Sequence, residues 1–242
     1  MSSGIFIQAR LNSTRLPAKA LLNLNGRTVL ERVIQRCSLS GLPVFILTSN
    51  HYLDDAIEDN ASKANVAGIY RGSIDDVRSR FLEAAKKFRI NKIIRVTADN
   101  PFTEPVFMQT LLDSLHAKPY CRIRDIDSPL GVNSEAFTSE FLMKSTELSK
   151  APEDLEHVTP WMRNHQVSNG IEGGVESLRF QMYPEAYNLH LGIDTIDDYW
   201  KILQLCKGMP EEYFESLNLL DYMLEDIFNK KVEFRKGRRY EL

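Results

Sequence analysis

Ile5-Phe6-Ile7-Gln8-Ala9-Arg10-Leu11-Asn12-Ser13-Thr14-Arg15-Leu16-Pro17-Ala18-Lys19 runs from an apolar segment into a basic loop. Ile5–Ile7 reads as a buried first strand. The loop behind it carries three cations, Arg10, Arg15 and Lys19, and no acid to neutralise them. Asn12, Ser13 and Thr14 add hydrogen-bond donors, and Pro17 stiffens the turn by fixing its φ angle. A loop of this kind at a strand end offers backbone N–H groups and fixed positive charge to a polyphosphate. A solvated surface loop has the same composition, since runs of charge are usually just hydrated.

Working outward, short apolar runs alternate with helical patterns through the first half. Ile5–Gln8, Val44–Thr48, Val66–Tyr70 and Lys92–Thr97 are nearly continuous in apolar character, as strands covered on both faces should be. Helices are expected near Val29–Ser38, Tyr52–Ala64 and Ile74–Phe88. In the last, Ile74, Val77, Phe81, Ala84 and Phe88 make one stripe, with Ser73 and Asp76 as a capping box. This alternation predicts an α/β fold with a mostly parallel sheet and right-handed crossovers. Ligands of such sheets bind outside the carboxyl ends of the strands. The Arg10–Lys19 loop and Ala98–Pro101 both fall on that edge.

The second half is less regular. Residues 119–137 are expected to include strands, and Thr138–Ser149 and Asp154–Asn164 to be helices. Glu176–Met182 and Asn188–Ile193 read as strands, and Gly170 to Gly174 as a mobile loop. Two helices follow, broken near Gly208-Met209-Pro210. The basic tail from Lys230 to Arg239 is read as a terminal strand on the alternation of Val232 and Phe234. Trp161, Tyr183 and Tyr187 are read as exposed.

At 242 residues and 43% hydrophobic, the chain can bury one large α/β domain. A formal net charge of −3 argues against a nucleic-acid partner. Cys37, Cys121 and Cys206 are odd in number and widely spaced, which fits free thiols in a reducing compartment. The first strand begins too early for a signal peptide, and no apolar run approaches the roughly 20 residues of a membrane helix. The expectation is a soluble cytoplasmic protein.

Asp99 follows the apolar strand Ile93–Val96 and Asp194 follows Leu189–Ile193. A carboxylate at the end of a buried strand must be hydrated, hydrogen-bonded or bound to a cation. An ordinary turn aspartate is the alternative for Asp99. Asp197 and Asp198 have a structural explanation, because Thr195 with Asp198 forms a capping box. Neither a Walker-type loop nor a dinucleotide glycine fingerprint is present.

The order Arg10, four residues, Arg15-Leu16-Pro17, one residue, Lys19 resembles the signature loop of the cytidylyltransferases that make CMP-activated sugars. The likeness is greatest to the spore-coat polysaccharide F type, a relative of the CMP-Kdo and CMP-sialate synthetases. Arg71-Gly72-Ser73-Ile74-Asp75-Asp76-Val77, Arg95-Val96-Thr97-Ala98-Asp99-Asn100-Pro101, Glu156-His157-Val158-Thr159-Pro160 and Ile193-Asp194-Thr195-Ile196-Asp197-Asp198-Tyr199 extend the likeness, in the family's order, over most of the chain. Ala98 stands where the family usually has Gly, and Asn133 where it usually has Asp.

The resemblance implies a Rossmann-like α/β/α sandwich of the nucleotide-diphospho-sugar-transferase type, with a smaller substrate and dimerisation lobe. Residues 1–242 would then form one nucleotidyltransferase domain, 1–118 being mainly the nucleotide-binding half and 119–190 mainly the acceptor lobe. It implies CMP transfer from CTP to a sugar acid or related small metabolite, with Mg²⁺ on Asp99 and Asp194 and with release of pyrophosphate. Arg15 and Lys19 become the catalytic cations. Gln8, Ala9, Arg10, Ser13, Thr14, Arg71, Gly72 and Ser73 become nucleotide-binding candidates, although Arg71-Gly72-Ser73 reads equally well as a turn and cap. Asn133, Glu135 and His157 become acceptor-binding candidates, with a helix residue satisfied locally as the alternative for His157. The family also implies a homodimer. A glycosyltransferase of the same architecture and a silent nucleotide-binding scaffold are the rival readings; the cations of the Arg15-Leu16-Pro17-Ala18-Lys19 loop argue against the first, whose donor is only a diphosphate, and the intact Arg15, Lys19, Asp99 and Asp194 against the second.

Overall fold

The computed structural model describes residues 2–123, 129–168 and 189–230. Its centre is a sheet built from β1 (Ser3–Gln8), β4 (Val44–Ser49), β5 (Gly68–Gly72), β6 (Lys92–Thr97), β7 (Tyr120–Arg122) and β8 (Glu135–Thr138), while β2 (Asn23–Leu24) and β3 (Arg27–Thr28) form a separate small ribbon. The strand order is β5-β4-β1-β6-β8-β7. The first four run parallel, β8 lies antiparallel to β6, and β7 antiparallel to β8.

Side-chain alternation divides the core in two. Ile5, Ile7, Ile46 and Val96 face one apolar layer, while Phe6, Phe45, Leu47 and Ile93 face the other. The first layer is roofed by α1 (Val29–Ser38), α2 (Asp55–Ala61), α4 (Pro105–Ser114), α8 (Ile196–Cys206), α9 (Glu211–Phe214) and α10 (Leu219–Lys230). The second is roofed by α3 (Val77–Phe88), α5 (Ser139–Leu148) and α7 (Pro160–Ser168). The protein is therefore an α/β/α sandwich with a mostly parallel sheet.

The chain leaves β1 for β4 and β5 on one side, then returns across β1 to place β6 on the other. This reversal opens a crevice between the carboxyl ends of β1 and β6, where open α/β sheets bind their ligands.

Several local expectations change. Helix α3 starts at Val77, with Asp76 as its cap accepting from Ser79 N, whereas Ser73 Oγ accepts from Asp76 N one turn earlier. The Asp154–Asn164 segment is two helices, α6 (Pro152–His157) and α7, separated at Val158, which adopts φ 70°. Pro160 has no N–H and its ring clashes with the preceding turn, so one helix cannot run through it. Residues before Ile193 contribute an isolated bridge, Leu130 to His190, in place of a strand. Trp161 is buried against Phe141, with ring centroids 5.5 Å apart, because its helix turns that face onto the core. The expected strand at Glu176–Met182, the Gly170–Gly174 loop, the tail strand beyond Lys230, Tyr183 and Tyr187 lie outside the described residues.

Candidate active site

A cleft of about 290 Å³ lies at the reversal point. Five basic side chains line it, Arg10, Arg15, Lys19, Arg80 and Arg95, against three acids, Asp99, Glu156 and Asp194. Such an excess of positive charge in a concave site favours an anionic ligand.

The loop after β1 is shaped by hydrogen bonds at both ends. Ala9 N donates to Leu47 O at 3.0 Å, and Ala18 N donates to Leu11 O at 2.9 Å, closing the loop on itself. Leu11 N donates to Asp54 Oδ1 at 2.8 Å. The other Asp54 oxygen accepts from Ser49 at the end of β4, so a buried carboxylate ties the basic loop to the sheet. Sequence reading passes over Asp54, because nothing nearby marks it as more than a helix-start residue.

Lys19 reaches across the cleft. Its Nζ donates to Asp99 Oδ2 at 2.5 Å and to Asp194 Oδ1 at 3.2 Å, and Arg15 Nη2 donates to Asp194 Oδ1 at 3.0 Å. Two carboxylates from segments 95 positions apart in the chain thus converge on one cation. Their placement is built into the backbone. Ala98 N donates to Gln8 O, and Ile193 N donates to Asp99 O at 2.9 Å. The Asp194 segment is braced by Asp194 N donating to Asp198 Oδ2, within the capping box that opens α8. Gly131, at φ 94°, lets its chain lie against Gly192; a Cβ there would stand 2.2 Å from Gly192 N.

The remaining candidates divide. Gln8, Ala9, Arg10, Ser13, Thr14 and His157 all line the cleft. Arg71 does not: its guanidinium is held by Asp55 at 2.6 Å, by Glu58 and by the carbonyls of Ser49 and His51, bracing β5. Gly72 and Ser73 also lie outside the lining, as do Asn133 and Glu135. Glu135 accepts from Arg95, Arg163, the Tyr120 hydroxyl and Thr159 Oγ1. Burial pushes its carboxyl up, but Arg95 and Arg163, helped by Tyr120, outweigh this and hold it down at about 2. Arg95 itself lines the cleft, kept there by Glu135 at 2.7 Å and by Gln8 Oε1 at 3.0 Å. Arg80 escapes a sequence reading, since an arginine on an amphipathic helix ordinarily marks its hydrated face, whereas Arg95 and Glu156 fall in family-like blocks without a role of their own.

A family model described as cytidylyltransferase matches residues 5–234. The chain belongs to the cytidylyltransferase family. It is a nucleotidyltransferase, and the glycosyltransferase reading falls. A cytidylyltransferase from Leptospira borgpetersenii serovar Hardjo-bovis superposes over 100% of both chains with a TM-score of 0.81 at 26% identity. The spore coat polysaccharide biosynthesis protein SpsF of Bacillus subtilis is 29% identical over 85% of this chain and 86% of its own length. The 3-deoxy-manno-octulosonate cytidylyltransferase of Alcanivorax borkumensis is 26% identical over 68% of this chain and 66% of its own.

Proposed function

We propose that the protein transfers the cytidylyl group of CTP to a hydroxyl of a sugar acid, with Mg²⁺. The observation that carries this reading is the meeting of Lys19, Asp99 and Asp194 at the mouth of a basic cleft, in a family member related to an octulosonate-activating enzyme. The acceptor oxygen attacks the α-phosphorus in line; the bond from that phosphorus to the β-bridging oxygen breaks, and its electron pair leaves on pyrophosphate. The acceptor's hydroxyl proton passes to water. Negative charge grows on the phosphoryl oxygens and the leaving group, so positioning and neutralisation are the protein's work. Arg10, Arg15 and Lys19, with Ser13 and Thr14, would hold the triphosphate.

The carboxylates fit a divalent cation. Asp99 and Asp194 already bracket the Lys19 ammonium, and an all-oxygen donor pair suits a hard ion. Among the described residues no larger group of His, Cys, Asp or Glu converges to hold a metal, so substrate phosphates and water would complete the shell. Bound there, Mg²⁺ would polarise the α-phosphoryl oxygens. Lys19, released from these carboxylates, would be free to hold a phosphate.

His157, which lines the cleft, would contact the acceptor. Glu135 would act on the acceptor through Arg95, and Asn133 from outside the lining. Residues 119–190 would supply the acceptor side, although β7 and β8 belong to the same sheet as the nucleotide side. Buried free Cys37, Cys121 and Cys206 suit a reducing, cytoplasmic setting. Among the described residues no helix is long and apolar enough to cross a membrane. A homodimer is part of the reading, supported by Ile196 and Trp200, exposed one turn apart on α8, since aromatics are enriched at interfaces; light scattering that gives 27.8 kDa alone would reject it. The decisive assay is pyrophosphate release from each of the four nucleoside triphosphates with a panel of sugar acids. Release that requires CTP, Mg²⁺ and one acceptor class is expected. CTP binding without turnover on any sugar acid would move the reading to another acceptor chemistry.

A further inference from the structure

Arg95 stands on β6 opposite Phe6 of β1, and Gln8 stands opposite Thr97, two positions nearer the carboxyl edge. Its Nε donates to Gln8 Oε1 at 3.0 Å and its Nη1 to Glu135 Oε2 at 2.7 Å, so the head group is drawn toward the cleft. A guanidinium is a rigid plane, and two fixed corners fix the third. That corner, Nη2, makes no hydrogen bond among the described residues and is not sealed from solvent. The side chain that carries it is 13% exposed and lines the cleft.

The charges around Arg95 do not balance. Glu135 is shared by Arg95 and Arg163, and its other two donors, Tyr120 and Thr159, are neutral hydroxyls. One carboxylate against two guanidiniums leaves one positive charge over. Arg163, 42% exposed, can be hydrated. Arg95 is largely withdrawn from water, and an anion in the cleft would meet its remaining donors. Two N–H groups on Nη2 can hold one carboxylate by charge-assisted bonds.

The sheet says which anion. The basic loop leaves β1 on one side of β6, whereas Glu135 belongs to β8 on the other. Glu135 is also tied to Thr159, two residues after His157, which lines the cleft. The basic loop has acids of its own at hand, Glu156 for Arg10, Asp194 for Arg15, and Asp99 with Asp194 for Lys19. Arg95 is therefore set apart from the loop that would hold the triphosphate and turned toward the acceptor side.

Resting on the sugar-acid reading above, we propose that Arg95 is a specificity-determining residue for the acceptor, its Nη2 taking the acceptor's carboxylate while Gln8 and Glu135 hold the guanidinium in place. Gln8 is then a positioning residue, and acids are selected over neutral sugars by charge.

The test measures pyrophosphate release and calorimetric CTP binding, each with Mg²⁺, for wild type, Arg95→Met and Arg95→Lys. The acceptors are free sugar acids, the same compounds as carboxamides, and sugar phosphates. Arg95→Met leaves Glu135 with Arg163, Tyr120 and Thr159, so a folded variant is expected. A hydrogen bond between charged groups is worth a factor of roughly 10–100. Wild type should favour a free acid over its amide by that factor. In Arg95→Met the acceptor KM should rise as much and the preference for the acid should vanish, with CTP affinity unchanged. Arg95→Lys keeps the charge without the fork and should fall between. A preference for the acid that survives in folded Arg95→Met overturns the assignment. So does equal use of acid and amide by wild type, a result that needs no variant. A loss of CTP affinity equal to the loss for the acceptor would move Arg95 to the phosphates and overturn it as well. Turnover of sugar phosphates alone, or of nothing in the panel, is a different failure, that of the sugar-acid reading, and the proposal falls with it.

Discussion

Two charged clusters, one around Glu135 and one around Lys19, differ in how far their hydrogen-bonding capacity is used. Glu135 is buried and accepts from four donors on four separate segments, β6, β7, the turn at Thr159 and α7. Asp99 and Asp194 are each about a quarter exposed and share one ammonium. The first cluster joins elements that must not move relative to one another. The second is open to the cleft, where on the proposed reading a divalent cation would take the place of the ammonium. Both clusters set acids against bases, so what distinguishes them is saturation and exposure, not the kinds of residue present.

The largest effect should come from breaking the saturated cluster. Glu135→Gln leaves the buried Arg95, and the partly exposed Arg163, with a neutral partner, a change expected to cost about 3 kcal/mol of stability. The sign with pH follows from the Glu135 carboxyl, which is held at about 2 in the folded protein against an ordinary 4.5. Its stabilisation is complete above pH 4.5 and fades as pH falls toward 2. A depression of this size corresponds to about 3 kcal/mol. Urea midpoints for wild type and Glu135→Gln should therefore differ widely at pH 7 and converge near pH 2–3. A constant gap across that range would show that Glu135 acts by packing and not by charge.

The open cluster should behave in the opposite way. Lys19→Ala is expected to lower turnover by about 10²–10³-fold, the scale for losing one fixed group that stabilises developing charge. Asp99→Ala and Asp194→Ala should lose at least as much, while the melting temperature moves little, since each side chain is partly hydrated and outside the apolar layers. Near-wild-type turnover in Asp194→Ala would remove it from the proposed metal site. A large stability loss without a catalytic one would place this cluster beside Glu135 as architecture.

The contrast also explains what could be read in advance. The strands β1 and β6 are legible because their apolar runs are continuous, and α1 occupies Val29–Ser38 as its spacing predicts. The Lys19–Asp99–Asp194 meeting was legible through the order of family-like blocks: Lys19 lies in the loop that leaves β1, Asp99 just past β6, and Asp194 just before the capping box of α8. Arg80 was not, since its burial depends on Gly72 eight positions earlier presenting no side chain, a fact of packing with no local signature. The same holds for Glu135, where four partners arrive from distant segments. The split of α6 from α7 could have been read from Pro160. The positive φ of Val158 that completes it belongs to a tight turn in which Thr159 N donates to His157 O, and it has no sequence signal of its own.

The smallest effect concerns the rim, where Arg10 Nη2 meets Glu156 Oε1 at 2.7 Å with both side chains more than a third exposed. Exposed pairs of this kind contribute about 0.2–1 kcal/mol, and salt screens them. Glu156 competes with phosphate for Arg10, so removing its charge should help the nucleotide and leave the fold almost unchanged. Glu156→Gln is expected to tighten CTP binding by roughly 1.5- to 5-fold at low salt, the equivalent of that energy range. The gain should shrink as ionic strength rises, because bulk ions then compete for both groups. Calorimetric titrations at two salt concentrations measure both parts of this expectation. Weaker CTP binding in the variant would mean that Glu156 orients Arg10 toward the phosphates, and the rim pair would then belong with the saturated cluster as a positioning device.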